Sequence, residues 1–108
     1  MSKLPPATLR TLRALWDQND MRVRENDFRK LTGVKSRAYY PFSRRLQADN
    51  LTVVDFTLSG GTTIALTFKG MLALREHYTK LYNDRPCEAH RLEMEKFSRV
   101  PDRTGAAA

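Results

Sequence analysis

Histidine, cysteine and paired carboxylates are the side chains that most often catalyse or bind metal, and this chain holds few useful combinations of them. Its histidines are His77 and His90, and its one cysteine is Cys87. Cys87 and His90 lie three apart on one predicted helix and His77 lies on the helix before it. A zinc site there would need Glu88 or Glu93 as a fourth ligand in a closed tetrahedron; solvated histidines are the simpler account. Cys87 has no histidine and orienting carboxylate at the spacing of an activated nucleophile. Glu93 and Glu95 fall on different sides of a helix, and Gly60-Gly61 is not followed by the lysine and hydroxyl of a phosphate loop. No catalytic set emerges, so a protein that is not an enzyme, with no cofactor and no metal, is expected.

Arginine is the side chain that is abundant. Thirteen of the nineteen cations are arginine, and the formal net charge is +7. Residues 21–50 alone contribute +5, from eight basic and three acidic side chains, while residues 51–70 and 87–108 are neutral. The planar guanidinium fork grips phosphate, or the edge of guanine, with two hydrogen bonds. A cluster of this kind is either a solvated face that keeps the protein soluble or a nucleic-acid footprint. The elements that carry it decide between the two.

A chain of 108 residues with 41% apolar side chains fits one compact domain. Pro5-Pro6 can open a helix, and Leu9, Leu12, Leu15 and Trp16 follow at helical spacing to about Gln18. Asn19-Asp20 stops it, and Met21 to Arg24 form a short extended piece. A brief second helix from Glu25 or Asn26 turns Phe28 and Leu31 inward and closes at Thr32-Gly33-Val34, where glycine takes the left-handed turn. Ser36 is expected to cap a third helix reaching Asp49, with Tyr39, Phe42 and Leu46 buried and Asn50 ending it. Thr52 to Leu58 and Thr62 to Phe68 read as a hairpin around Ser59-Gly60-Gly61, with Val54, Phe56, Leu58, Ile64, Leu66 and Phe68 facing the core. Thr67 can cap a fourth helix through Tyr82, placing Met71, Leu74, Tyr78 and Leu81 inward. Residues 87–100 contain a last amphipathic helix with Ala89, Leu92 and Phe97 on one side, and 101–108 read as a flexible tail.

This order, three helices, a two-stranded hairpin and one or two C-terminal helices, is an α+β winged helix-turn-helix arrangement. The run Asp27 to Tyr39, with Phe28, Val34, Tyr39 and Phe42 around Gly33, resembles the bacterial helix-turn-helix signature. Leu46 to Leu51 is similar to the exit of a recognition helix, and Leu66-Thr67-Phe68-Lys69-Gly70 to the segment leaving the wing in MarR-like transcriptional regulators. The resemblance spans residues 8 to 82 within a winged helix-turn-helix domain at 5–82. It implies a double-stranded DNA-binding regulator whose third helix, residues 36–49, enters the major groove.

Residues 37, 40, 41, 44 and 48 share the face opposite the buried stripe, so Arg37, Tyr40 and Arg44 are expected at base edges. Arg45 and Lys35 flank them toward phosphates. Lys30, Arg29, Arg22 and Arg24, on the preceding helix and its entry, are also expected at phosphates, as are the amides of Ser36 and Arg37. Three features depart from the pattern. Arg29 stands where a small residue is usual, Pro41 interrupts the third helix's hydrogen bonds, and the wing tip from Leu58 to Thr63 carries no cation.

Rival partners stay open at this level. Tyr39-Tyr40, Pro41 and the uncharged wing suit a protein-interaction module, and Tyr40 beside Arg37 and Arg44 suits stacking on a single strand. Leu92, Met94, Phe97 and Val100 either close the core or pair with a second copy in a homodimer. No apolar run approaches the ~20 residues that span a bilayer, and Met1 to Pro6 lack a signal-peptide core. A cytoplasmic protein without membrane contact is expected, nucleoid-associated if bacterial; the unpaired cysteine suits a reducing compartment.

Overall fold

The computed structural model describes residues 4–57 and 61–100. Helix α1 spans Pro6–Trp16, a 3-10 turn covers Asn19–Met21, and strand β1 covers Arg22–Arg24. Helices α2 (Glu25–Thr32) and α3 (Ser36–Ala48) lead into strands β2 (Thr52–Thr57) and β3 (Gly61–Leu66), and helices α4 (Phe68–Asp84) and α5 (Glu88–Phe97) complete the chain. The wing-tip residues 58–60 and the tail 101–108 lie outside the described residues.

The fold is α+β as expected, but its sheet has three strands in the order β1-β3-β2, all antiparallel, where the spacing predicts a two-stranded hairpin. The extra strand is the extended piece at Arg22–Arg24. Val23 pairs with Ile64, which in turn pairs with Val54, so three β-branched side chains share the face packed on the core. Arg22, Arg24, Val53, Asp55, Thr63 and Ala65 take the opposite face by the same register. No local period announces this pairing, because its partners stand some forty residues apart.

The core is the one the helical spacings predict. Leu12 and Leu15 of α1, Phe28 of α2, Tyr39 and Leu46 of α3, Ile64 and Leu66 of β3, and Leu74 and Tyr78 of α4 are buried together. Two assignments change. Phe56 is 80% exposed, with Thr62 as its cross-strand partner. On α5, Leu92 is 54% exposed and Ala89 is exposed, while Phe97 and the following Val100 are buried. Only the end of α5 reaches the core. There Phe97 stacks on Tyr78 (4.9 Å, 7°) and meets Trp16 at 4.8 Å, and the Arg13 guanidinium lies 5.4 Å from both the Tyr78 and Phe97 rings. Arg13 also donates to the Tyr78 hydroxyl (3.0 Å) and pairs with Glu93 at 2.9 Å, so one cation ties α1 to α4 and α5.

Local chemistry sets the element ends. Gly33 follows α2 at φ 64, the left-handed conformation that glycine adopts without a Cβ penalty. Beyond α3, Asn50 is left-handed at φ 62; its amide bonds Gln47 O and that of Leu51 bonds Leu46 O, a Schellman ending with two buried leucines in contact range. The cap of α3 differs from expectation. Lys35 holds the extended cap position with no side-chain hydrogen bond, so Ser36 is already the first helical residue. Thr67 does cap α4, accepting from the Gly70 amide at 2.9 Å while its hydroxyl donates to Asn50 O and its amide to Leu51 O. The helices also differ slightly in length: α1 stops at Trp16, α3 at Ala48, and Phe68 begins α4, which continues to Asp84.

Two stability predictions follow from packing. A Cβ on buried Gly70 would stand 2.6 Å from both Leu51 O and Leu66 Cδ1, and the backbone oxygen has no freedom to retreat. Gly70→Ala should therefore destabilise the fold by about 1–3 kcal/mol in urea unfolding. Thr11 is fully buried and its hydroxyl has no partner. Thr11→Val keeps the shape and removes that unpaired group, so it should stabilise by about 1 kcal/mol in the same assay.

Candidate nucleic-acid interface

Helix α3 is oriented by its inner stripe. Tyr39, Ser43 and Leu46, at i, i+4 and i+7, are buried, and Phe42 packs partly against the same core. Tyr39 does most to fix the helix against α2. Its ring meets Phe28 edge-on at 6.2 Å, its hydroxyl lies 3.4 Å from a Glu25 carboxylate oxygen, and the Arg29 guanidinium sits 4.5 Å above it. Burial, and then the Glu25 charge, push the Tyr39 phenol above its ordinary pKa, so it remains a neutral donor.

With 100° between successive helical residues, burying 39, 43 and 46 turns 37, 40, 41, 44 and 48 to the other side. All five are exposed. Arg37 and Arg44 have no ion pair or hydrogen-bond partner among the described residues, and neither do the exposed Lys30 and Lys35. The amides of Ser36 and Arg37 are likewise without partners there, since the first bond of the helix runs from Ala38 N to Lys35 O. Pro41 lies inside α3 and lacks the N–H that Arg37 C=O would accept from, yet the helix continues through it to Ala48. Arg45 pairs with Asp49 at 3.7 Å, but both side chains are more than half exposed, so the pair is weak and its cation stays accessible.

The sheet takes two of the predicted cations elsewhere. Arg22 donates to Asp55 at 2.6 Å and to the Thr63 hydroxyl at 3.0 Å, spanning all three strands on the sheet's outer face. Arg24 is on that face too, exposed at the start of α2. Arg29 is neither free nor merely solvated. Its Nη2 donates to the Tyr40 hydroxyl at 2.6 Å, and its guanidinium lies over both tyrosine rings. Arg29, which stands where a small residue is usual, turns its guanidinium to the two tyrosines, a contact between residues eleven apart that no local period reveals.

Two charged groups are thus assembled: Arg37, Arg44, Arg45, Lys35 and Lys30 with Tyr40 around α2 and α3, and Arg22 with Arg24 on the sheet. Their carboxylate neighbours are few. Asp49 faces Arg45, Asp55 faces Arg22, and Glu25 faces the Tyr39 phenol. Among the described residues no group of three or more His, Cys, Asp or Glu could hold a metal ion, and no helix is long and apolar enough to cross a membrane. His90 directs Nδ1 to Arg85 O at 2.7 Å, closing the turn between α4 and α5. Comparison with protein-family models, with curated proteins and with solved structures finds no match for this chain.

Proposed function

We propose that this chain is a winged helix-turn-helix protein that binds double-stranded DNA in a sequence-specific way, as a transcriptional regulator, with α3 in the major groove. The observation that carries this reading is the outward face of α3, where Arg37, Tyr40 and Arg44 are exposed on a helix anchored from behind by Tyr39 and Leu46. A major groove ~12 Å wide admits such a helix, and an arginine there reads guanine with two hydrogen bonds. Lys30 and Lys35 stand where the flanking phosphates would run, and the free amides of Ser36 and Arg37 suit a phosphate oxygen. The hairpin β2–β3 would act as the wing, contributing hydroxyls and amides because its tip carries no cation.

A second reading keeps the fold and changes the partner. Phe56, 80% exposed on the hairpin, favours a protein-interaction module, an adaptor or an inhibitor from a phage or mobile element, since a bare aromatic is a frequent anchor at protein interfaces. Retention of one protein partner after nuclease treatment, with no affinity for DNA and loss on Phe56→Ala, would establish it.

Gel-shift titrations at two salt concentrations test the main reading. Arg37→Ala and Arg44→Ala should each relax preference at one base position by about 1–3 kcal/mol, whereas Lys30→Ala should weaken all sequences equally and lower the salt slope by about 1. Unchanged affinity in the triple variant would remove the proposal.

A further inference from the structure

The arginine that sequence reasoning assigns to a phosphate is already occupied. Arg29 Nη2 donates to Tyr40 Oη at 2.6 Å, while its guanidinium lies 4.5 Å from the Tyr39 centroid and 5.1 Å from that of Tyr40. The two tyrosine rings also meet edge-on at 5.2 Å, so Tyr40 is held by its ring and by its oxygen. We propose that Arg29 is a positioning residue that fixes Tyr40 as a hydrogen-bond donor toward an acceptor atom on a base edge. This rests on the reading of α3 as the DNA-contacting helix.

The direction of the contact follows from the groups involved. Guanidinium has no acceptor, so Arg29 must donate and Tyr40 must accept. The phenol's own proton cannot point back at the cation, and it is left to donate outward. The positive charge at its oxygen also makes that proton a stronger donor. Tyr40 is 54% exposed and shares its face with Arg37, three residues before it, and Arg44, four after it. A donor fixed there donates to a purine N7, guanine O6 or thymine O4 and finds no acceptor in the cytosine amino group, which is itself a donor. Without Arg29 the phenol could rotate its proton inward and present a lone pair, and that preference would be lost.

The roles of phosphate ligand and positioning residue separate on Arg29→Lys. Lysine keeps the charge that a phosphate needs, but has neither the delocalised planar guanidinium that reaches both rings nor the fixed fork. Base preference and salt dependence would be measured by fluorescence anisotropy on duplexes varied one position at a time, for the wild type, Arg29→Lys, Tyr40→Phe and the double variant. Arg29→Lys and Tyr40→Phe should each lose about tenfold of the preference at the same single position. The double variant should lose no more than Tyr40→Phe alone, and the salt slope should stay at the wild-type value in all of them. Wild-type behaviour of Arg29→Lys, or a loss spread evenly over all sequences, would overturn the positioning role while leaving DNA binding intact. If Arg29→Lys fails to fold, Tyr40→Phe decides, because it keeps the ring: no change at any position would overturn the proposal. A wild type with no affinity for duplex DNA would overturn this inference together with the reading beneath it.

Discussion

The burial of one phenol ring decides which way the cationic helix faces. Tyr39 enters the core with its hydroxyl directed at Glu25, its ring edge-on to Phe28 and one face under Arg29, so three of its principal neighbours lie on α2. A helix held by one stripe can present only the opposite side to a partner. Arg37, Tyr40 and Arg44 therefore face outward as a consequence of where Tyr39 is satisfied.

A domain of this size buries a limited core, and each junction has to contribute. The meeting point of Asn50, Leu51, Thr67 and Gly70 joins the end of α3, the end of β3 and the start of α4 through three hydrogen bonds and one close approach that only glycine permits. At the other end, the stacked pair Tyr78 and Phe97, with Arg13 beside both, fastens α5 across α1 and α4. Lys96 to Asp17 and Arg75 to the Val100 carbonyl extend the same fastening. These contacts tie the end of α3 to β3 and α4, and fasten α5 across α1 and α4.

What was legible in the sequence was local. The apolar spacings of α1, α2, α3 and α4, the left-handed end at Gly33, the stop of α3 by Asn50 and the Thr67 cap all depend on residues within a few positions of one another, and all are found. What was hidden depended on distant partners. β1 becomes a strand only because Val23 meets Ile64, and Arg22 leaves the basic cluster only because Asp55 and Thr63 arrive beside it. Phe56 follows the alternation of its strand and Leu92 the period of its helix, yet both are left exposed, because burial depends on what the rest of the fold brings against them. At the interface, the faces of Arg37, Tyr40 and Arg44 could be read from the helical period, whereas the link between Arg29 and Tyr40 required the fold to bring two helices together.

Selection from a library of random duplexes, with single strands of the same composition present as competitors, tests the central claim most directly. The account predicts that the wild-type protein enriches one defined motif in duplex form; two half-sites about one turn (~34 Å) apart would identify a two-fold dimer as the binding species. Recovery of unenriched duplexes, or capture of the single strands in their place, would contradict it.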